Sequence, residues 1–233
     1  MNGTLLQAEG IGMRFGGFQA LSGVDFDVKE NSVACIIGPN GAGKSTFLNI
    51  ITGTLTPTAG TVRFAGQAIA GLAPHRIARL GIARKFQIPS VFPSMTVAEN
   101  VEVALWGGRS PAGIDEMLEI IGLSRRRLDL AGDLAHGEKQ WLEIGMAIAT
   151  GPKLLLLDEP TAGMTPEETR ATAELIHRLS NRCTVVAVEH DINFVRALDT
   201  DTLVLHQGQF FRRAPFVEIE ADEAVRDVYL GRR

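Results

Sequence analysis

The stretch Gly38-Pro39-Asn40-Gly41-Ala42-Gly43-Lys44-Ser45 constrains this chain more than any other. It follows the near-continuous apolar run "SVACIIG" and opens the helical pattern at 44–52. A strand, a glycine-rich loop and a Lys-Ser pair starting a helix form the setting in which backbone amides wrap a phosphate. Glycines let the backbone approach phosphate oxygens with no side chain in the way. The helix start adds unpaired N–H groups and the positive end of its dipole. Lys44 is then placed to reach the β- and γ-phosphates of a nucleotide, and Ser45 to hold Mg²⁺. A glycine-rich turn matching by chance would not also carry the Lys, the Ser and the strand–helix context.

With 233 residues, the chain is long enough for one large domain or a domain with a lobed insertion. An apolar fraction of 45% supports a full core and excludes a mainly disordered chain. The net charge of −4 argues against a nucleic-acid binder, which carries a basic face. The short basic run Arg125-Arg126-Arg127 reads as a solvated face. Cys35 and Cys183 sit in apolar, β-branched runs and read as buried residues of parallel strands, suited to a reducing cytosol. The start "MNGTLLQAEG" lacks the basic and apolar parts of a signal peptide. No run approaches the roughly 18 apolar residues of a membrane helix, so any membrane role is expected to come through a partner.

Strand patterns dominate 4–37, with a further strand at 60–65. Helical patterns follow at 74–80, 96–106, 112–122 and 137–150. Strands then alternate with helices again: "KLLLLDE" before 166–180, "CTVVAVE" before 190–198, and "DTLVLHQG" before "QFFRR". Alternation at both ends predicts an α/β fold with a mostly parallel sheet and flanking helices. The expected division is a single domain over 1–233, with a core at 1–86 and 151–233 and an inserted helical lobe at 87–150.

Leu154 to Leu157 read as a buried strand that delivers Asp158 and Glu159 to its carboxyl end, where open α/β sheets bind ligands. Asp158 is the expected Mg²⁺ carboxylate, through water, and Glu159 the group that orients or deprotonates an attacking water. Without the upstream loop, two carboxylates at a strand end would read as capping groups. His190 ends a further strand and, beside Lys44 and Glu159, becomes a candidate γ-phosphate sensor. Gln87, in "RKFQIPS", follows a strand-like segment and precedes the helical insertion, a place from which it can touch Mg²⁺ or the water.

"GPNGAGKST", Gln87, "LAHGEKQ", "LLLLDEP" and "VEHD" stand in the order and spacing of the ATP-binding cassette (ABC) ATPases, and the resemblance spans nearly the whole chain. It implies a P-loop NTPase core with an N-terminal antiparallel β subdomain and an inserted α-helical lobe. It also implies ATP and Mg²⁺ as ligands, with residues 38–46 (to Thr46) around the phosphates and Phe15 stacked on adenine, with Phe18 its rival. Residues 134–140 match the "LSGGQ"-type loop, so Ala135, His136, Gly137 and Glu138 are expected at the γ-phosphate held by a second subunit. The implied assembly is a head-to-tail dimer with a second ABC ATPase subunit, a heterodimer, with two membrane permease subunits and, indirectly, a solute-binding protein. The chain would then lie on the cytoplasmic face of the membrane, attached through the permeases. Residues 88–106 fall where importers of this kind meet the coupling helix of a membrane subunit.

Finer features narrow the subgroup. "RFGG", "MTVAENV" and the ending "VYLG" resemble branched-chain amino acid importers; "HGEKQWLEIGM", "RKFQ" and "AGMT" with "EET" resemble the urea and short-chain amide members more closely. Uptake of urea or short-chain amides is therefore the leading expectation, with branched-chain amino acids as the alternative. Two positions depart from the usual pattern. Ala135 replaces the signature Ser, removing a hydroxyl whose bond to a charged group is worth about 1.5–3 kcal/mol, with His136 able to donate instead. Thr165 stands where an Asp is usual in the loop after Glu159. Both departures motivate a second hypothesis, a nucleotide-gated cassette that hydrolyses weakly.

Overall fold

Register and burial of a central parallel sheet organise the molecule. The computed structural model describes residues 3–85, 91–108 and 110–230. In chain order the elements are β1 Thr4–Phe15, β2 Phe18–Lys29, β3 Val33–Ile37, α1 Lys44–Ile51, β4 Ala59–Phe64, β5 Gln67–Ala68, α2 Pro74–Leu80, β6 Ile82–Lys85, α3 Val97–Trp106, α4 Ile114–Ile120, α5 His136–Ala149, β7 Leu154–Asp158, α6 Pro166–Leu179, β8 Thr184–Glu189, α7 Ile192–Leu198, β9 Asp201–His206, β10 Gln209–Pro215 and α8 Phe216–Ala221. The central sheet has the order β10-β9-β3-β8-β7-β6, parallel from β9 to β6, with β10 antiparallel at one edge. A second, antiparallel sheet has the order β2-β1-β4-β5. The expected α/β class, with its mostly parallel core, antiparallel N-terminal sheet and helices, is the fold found.

Successive side chains of a strand point to opposite faces. Here both faces are apolar, so the core divides into two layers. Cys35, Ile37, Leu155, Leu157, Val185 and Ala187 face α3 to α8. Their neighbours Ala34, Ile36, Leu154, Leu156, Val186 and Val188 face the antiparallel sheet and α1. Strands covered on both faces carry no polar alternation, which explains the unbroken runs in the sequence. Phe26 of β2 meets Phe47 of α1 edge-on, with centroids 5.7 Å apart, and fastens the second sheet to the helix after the glycine-rich loop.

Helix starts follow local chemistry. Thr96 and Glu99 form a reciprocal capping box at α3. Thr165 and Glu168 form another at α6, with Pro166 at its first position. Asp191 caps α7 by accepting from Asn193 N, which starts that helix at Ile192 instead of at 190. One cysteine differs from expectation. Cys35 lies in β3, but Cys183 precedes β8, and its N–H donates to Leu179 O at the end of α6.

Both thiols are buried. Burial, reinforced by the nearby Glu189 charge, raises the Cys35 thiol well above its usual range, and burial pushes Cys183 up to about 12. The thiolate is the reactive form. Ellman's reagent at pH 8 should therefore titrate neither thiol in the native chain and both in guanidinium. One fast-reacting thiol per native chain would contradict this packing.

Candidate functional site

Three strands of the central sheet, β3, β8 and β7, end at one edge. Ile37 pairs with Glu189 and Asp158 with Val188, so the segments that follow these strands emerge side by side. Parallel strands present their carboxyl ends together, and open α/β sheets bind ligands there.

The loop after β3 closes on itself through Ala42 N to Pro39 O at 3.1 Å, and the α1 ladder opens with Phe47 N to Gly43 O at 2.9 Å. The amides ahead of that bond have no intrahelical acceptor and point toward the loop. Gly43 is required on two counts. Its φ is +99°, and a Cβ there would sit 2.5 Å from Leu21 Cδ2. Lys44 is buried, and its Nζ donates to Gly38 O at 2.6 Å and Pro39 O at 3.1 Å. Burial draws its ammonium below the usual value, while Glu159, Asp158 and Glu189 pull the other way. The Lys44 ammonium is thus held on two backbone carbonyls of the loop. Ser45 is exposed at the helix start and Thr46 half-buried.

Asp158, at the end of β7, is buried, and its Oδ2 lies 2.6 Å from Arg84 NH2. Arg84 also donates to Asn49 Oδ1 of α1 at 2.6 Å, joining β6, β7 and α1. The next residue, Glu159, adopts a φ of +48°, a left-handed conformation costing about 1–3 kcal/mol for a non-glycine residue. Its N–H donates to Val188 O at 2.9 Å, turning the chain sharply off the strand. His190 Nδ1 lies 3.3 Å from Glu159 Oε1, so the structure brings these two expected residues together. Ser45 and Asp158 offer hard oxygen donors, which suit Mg²⁺ when phosphates and water complete its shell. Among the described residues no group of three or more His, Cys, Asp or Glu forms a metal site of its own.

One member of this site was not singled out in the sequence. Glu189, 1% exposed, accepts four hydrogen bonds. Thr161 N and Oγ1 donate to Oε1 at 3.0 and 2.7 Å, and His190 N and Asp191 N donate to Oε2 at 3.0 and 3.4 Å. This carboxylate therefore clips the loop after Glu159 to the loop carrying His190. Its signal was an acidic residue closing the apolar strand "TVVAVE". Arg84 was missed because nothing in "ARKF" names its partner.

Phe15 and Phe18 face each other across the β1–β2 turn and are 46% and 67% exposed, so both rings are available. The start of β2 adjoins the phosphate loop, since a Cβ on Gly43 would meet Ala20 O and Leu21. Gln87 lies outside the described residues. Residues 135–138 form the start of α5, outside the loop between β3 and α1. Glu138 reaches back to Ala135 N at 3.0 Å and takes Arg126 Nε at 3.1 Å. His136 Nε2 is turned to Ala162 O at 2.9 Å, in the loop after Glu159. Gly137 is buried against Glu168.

The family model described as ABC transporter matches residues 21–162. The chain belongs to the ABC transporter family. It is an ATPase that binds ATP and couples its hydrolysis to transport. This ABC cassette is 37% identical over 253 residues to the high-affinity branched-chain amino acid transport ATP-binding protein LivG of Salmonella typhimurium, covering 99% of each chain. It superposes with a TM-score of 0.88 on an ATP-binding cassette of an ABC transporter in its ADP conformation, at 31% identity, covering 99% of this chain and 100% of that one. A dimeric, post-hydrolysis cassette bound to ADP and Pi also matches, with a TM-score of 0.76 at 27% identity over 91% of this chain and 98% of that one.

Replacing Glu189 by Gln leaves one acceptor oxygen facing donors that formerly had two. In the ABC cassette this should cost about 3 kcal/mol and lower Tm by roughly 6–12 °C. ATP turnover should fall more than ATP affinity, because the phosphate loop keeps its own bonds. A thermal scan and steady-state kinetics check this; a variant with unchanged Tm and kcat would remove Glu189 from the account.

Proposed function

We propose that this cassette powers uptake of branched-chain amino acids as one half of a head-to-tail pair of ATPase subunits. The observation that carries the solute is the match along nearly the full chain to a relative named for branched-chain amino acid transport. The pairing is supported by the dimeric solved cassette. The partner is a second, different cassette. Two permeases carry the solute, and a solute-binding protein delivers it. The chain then works at the cytoplasmic face of the membrane through those permeases; no described helix is long and apolar enough to cross a membrane.

In this reading the phosphates of ATP rest on the amides of 38–46, and Lys44 neutralises charge that develops on the β- and γ-oxygens. Mg²⁺, when bound, supplies further charge neutralisation; Ser45, Asp158 and Gln87 are the residues that would hold it. Glu159 orients the attacking water and takes its proton, and His190, 3.3 Å away, fixes that carboxylate and senses the γ-phosphate. Phe15 or Phe18 stacks on adenine. Residues 135–138 of each cassette complete the phosphate site of the other: a helix start attracts anions even where Ala135 lacks a hydroxyl.

Residues 87–150 act as a lobe that carries this helix start. A cleft of about 600 Å³ opens between α2, β6 and the end of α5. It is lined by Thr52, Pro74, Arg79, Ala83, Gly107 and Pro152, and Trp106, which precedes Gly107 in the chain, is 80% exposed. This cleft is the proposed seat of a permease helix, alongside Gly107, the residue that follows the segment singled out in the sequence.

The motifs "HGEKQWLEIGM" and "RKFQ" favour a second solute, urea or a short-chain amide. Radiolabelled uptake in a strain lacking this chain separates the two. Leucine uptake should be lost, restored by the wild-type chain and not by Glu159→Gln, with urea uptake unchanged. Loss of urea uptake alone would overturn the branched-chain reading. Full leucine uptake with Glu159→Gln would overturn the assignment of the base.

A further inference from the structure

We propose that His136 is a positioning residue that ties the helix end offered to a partner's nucleotide to this subunit's own hydrolytic loop. The inference rests on the reading above that residues 135–138 face a nucleotide held by a second cassette. His136 is the first residue of α5, and its Nε2 lies 2.9 Å from Ala162 O. A carbonyl only accepts, so Nε2 is the protonated nitrogen and the imidazole donates. The ring therefore points back into its own subunit and not outward as a substitute for the missing signature hydroxyl.

Two further contacts make this a strut and not an isolated bond. Next along α5, Gly137 lies so close to α6 that a Cβ would sit 2.4 Å from Glu168 Oε1. The other oxygen of Glu168 accepts Thr165 N at 2.8 Å, at the far end of the same loop. At the near end, Thr161 is bonded twice to Glu189, which also accepts His190 N. A continuous path therefore runs from His190 through Glu189, Thr161 and Ala162 to His136 and the start of α5. Displacement of the loop by chemistry at Glu159 is transmitted to the helix end that completes the other site. A glycine at 136, the usual residue in the resemblance, has no side chain to make the connection.

The test uses the assembled transporter with both cassettes, comparing wild type, His136→Gly and His136→Gln. The Gln amide reaches the position of the imidazole Nε2 and can donate to Ala162 O; Gly cannot. Losing one hydrogen bond of the coupled pair should lower kcat about 3- to 10-fold in the Gly variant. KM for ATP should stay within about twofold, since the His136 ring is turned to Ala162 O of its own subunit and not toward the partner's nucleotide. The Gln variant should recover most of the loss. Wild-type kcat with Gly, or a Gln variant as slow as Gly, overturns the proposal. ATP-dependent association of the two cassettes, measured in a Glu159→Gln background, separates the two levels. Cassettes that never associate overturn the reading and this inference with it. Cassettes that associate while His136→Gly leaves kcat intact overturn the inference alone.

Discussion

The register of three parallel strands sets everything at this site. Pairing Ile37 with Glu189 and Asp158 with Val188 puts the phosphate loop, the Asp158-Glu159 pair and the His190 loop at one edge. A slip of one residue would move a strand end by about 3.3 Å and would exchange its two apolar faces. Both faces are packed, one against helices and one against the antiparallel sheet, so such a slip meets resistance from each side. The strained backbone of Glu159 is held in the same way, because its N–H is fixed on Val188 O of the neighbouring strand.

Buried polar groups then define the geometry that the apolar core only permits. Arg84 with Asp158, and Lys85 with Glu143, are ion pairs at 2.6 and 3.1 Å, almost fully buried. Pairs of this kind add little net stability, but breaking one by removing a partner costs about 3–5 kcal/mol. The first joins the edge strand β6 to β7; the second joins β6 to α5, the helix whose start is offered outward. The same strand therefore ties the end of β7 to α5. Glu189 does the corresponding work between the two loops that follow β7 and β8.

The sequence disclosed what is local. A glycine-rich loop between an apolar strand and Lys-Ser, and a second apolar strand ending in Asp-Glu, carry their chemistry in consecutive residues, so both were legible. The two-layer core was legible as well, since unbroken apolar runs require cover on both faces. What was not legible depends on pairing between distant segments. "VVAVE" shows an acidic residue at a strand end, but nothing local says that it will collect Thr161, 28 positions away. His136 looked like a replacement donor for phosphate, because its turn toward Ala162 is set by how α5 packs on α6. Thr165 looked like a defect beside the usual Asp, yet it caps α6 as an Asp would, accepting Glu168 N at 3.3 Å. Phe15 and Phe18 are both presented because a tight hairpin puts cross-strand partners on the same side of the turn.

The solute is the part furthest from these physics, and its reading rests on the likeness to a branched-chain amino acid cassette. In the proposed pairing, nucleotide held by one cassette is completed by the helix start of another. Electron cryomicroscopy of the whole transporter, carrying Glu159→Gln and loaded with ATP and Mg²⁺, tests it most directly. The account predicts the Gly137 amide of this chain within hydrogen-bonding distance of a γ-phosphate seated in the other cassette's loop. A closed, nucleotide-loaded complex in which that amide lies remote from every phosphate would contradict it.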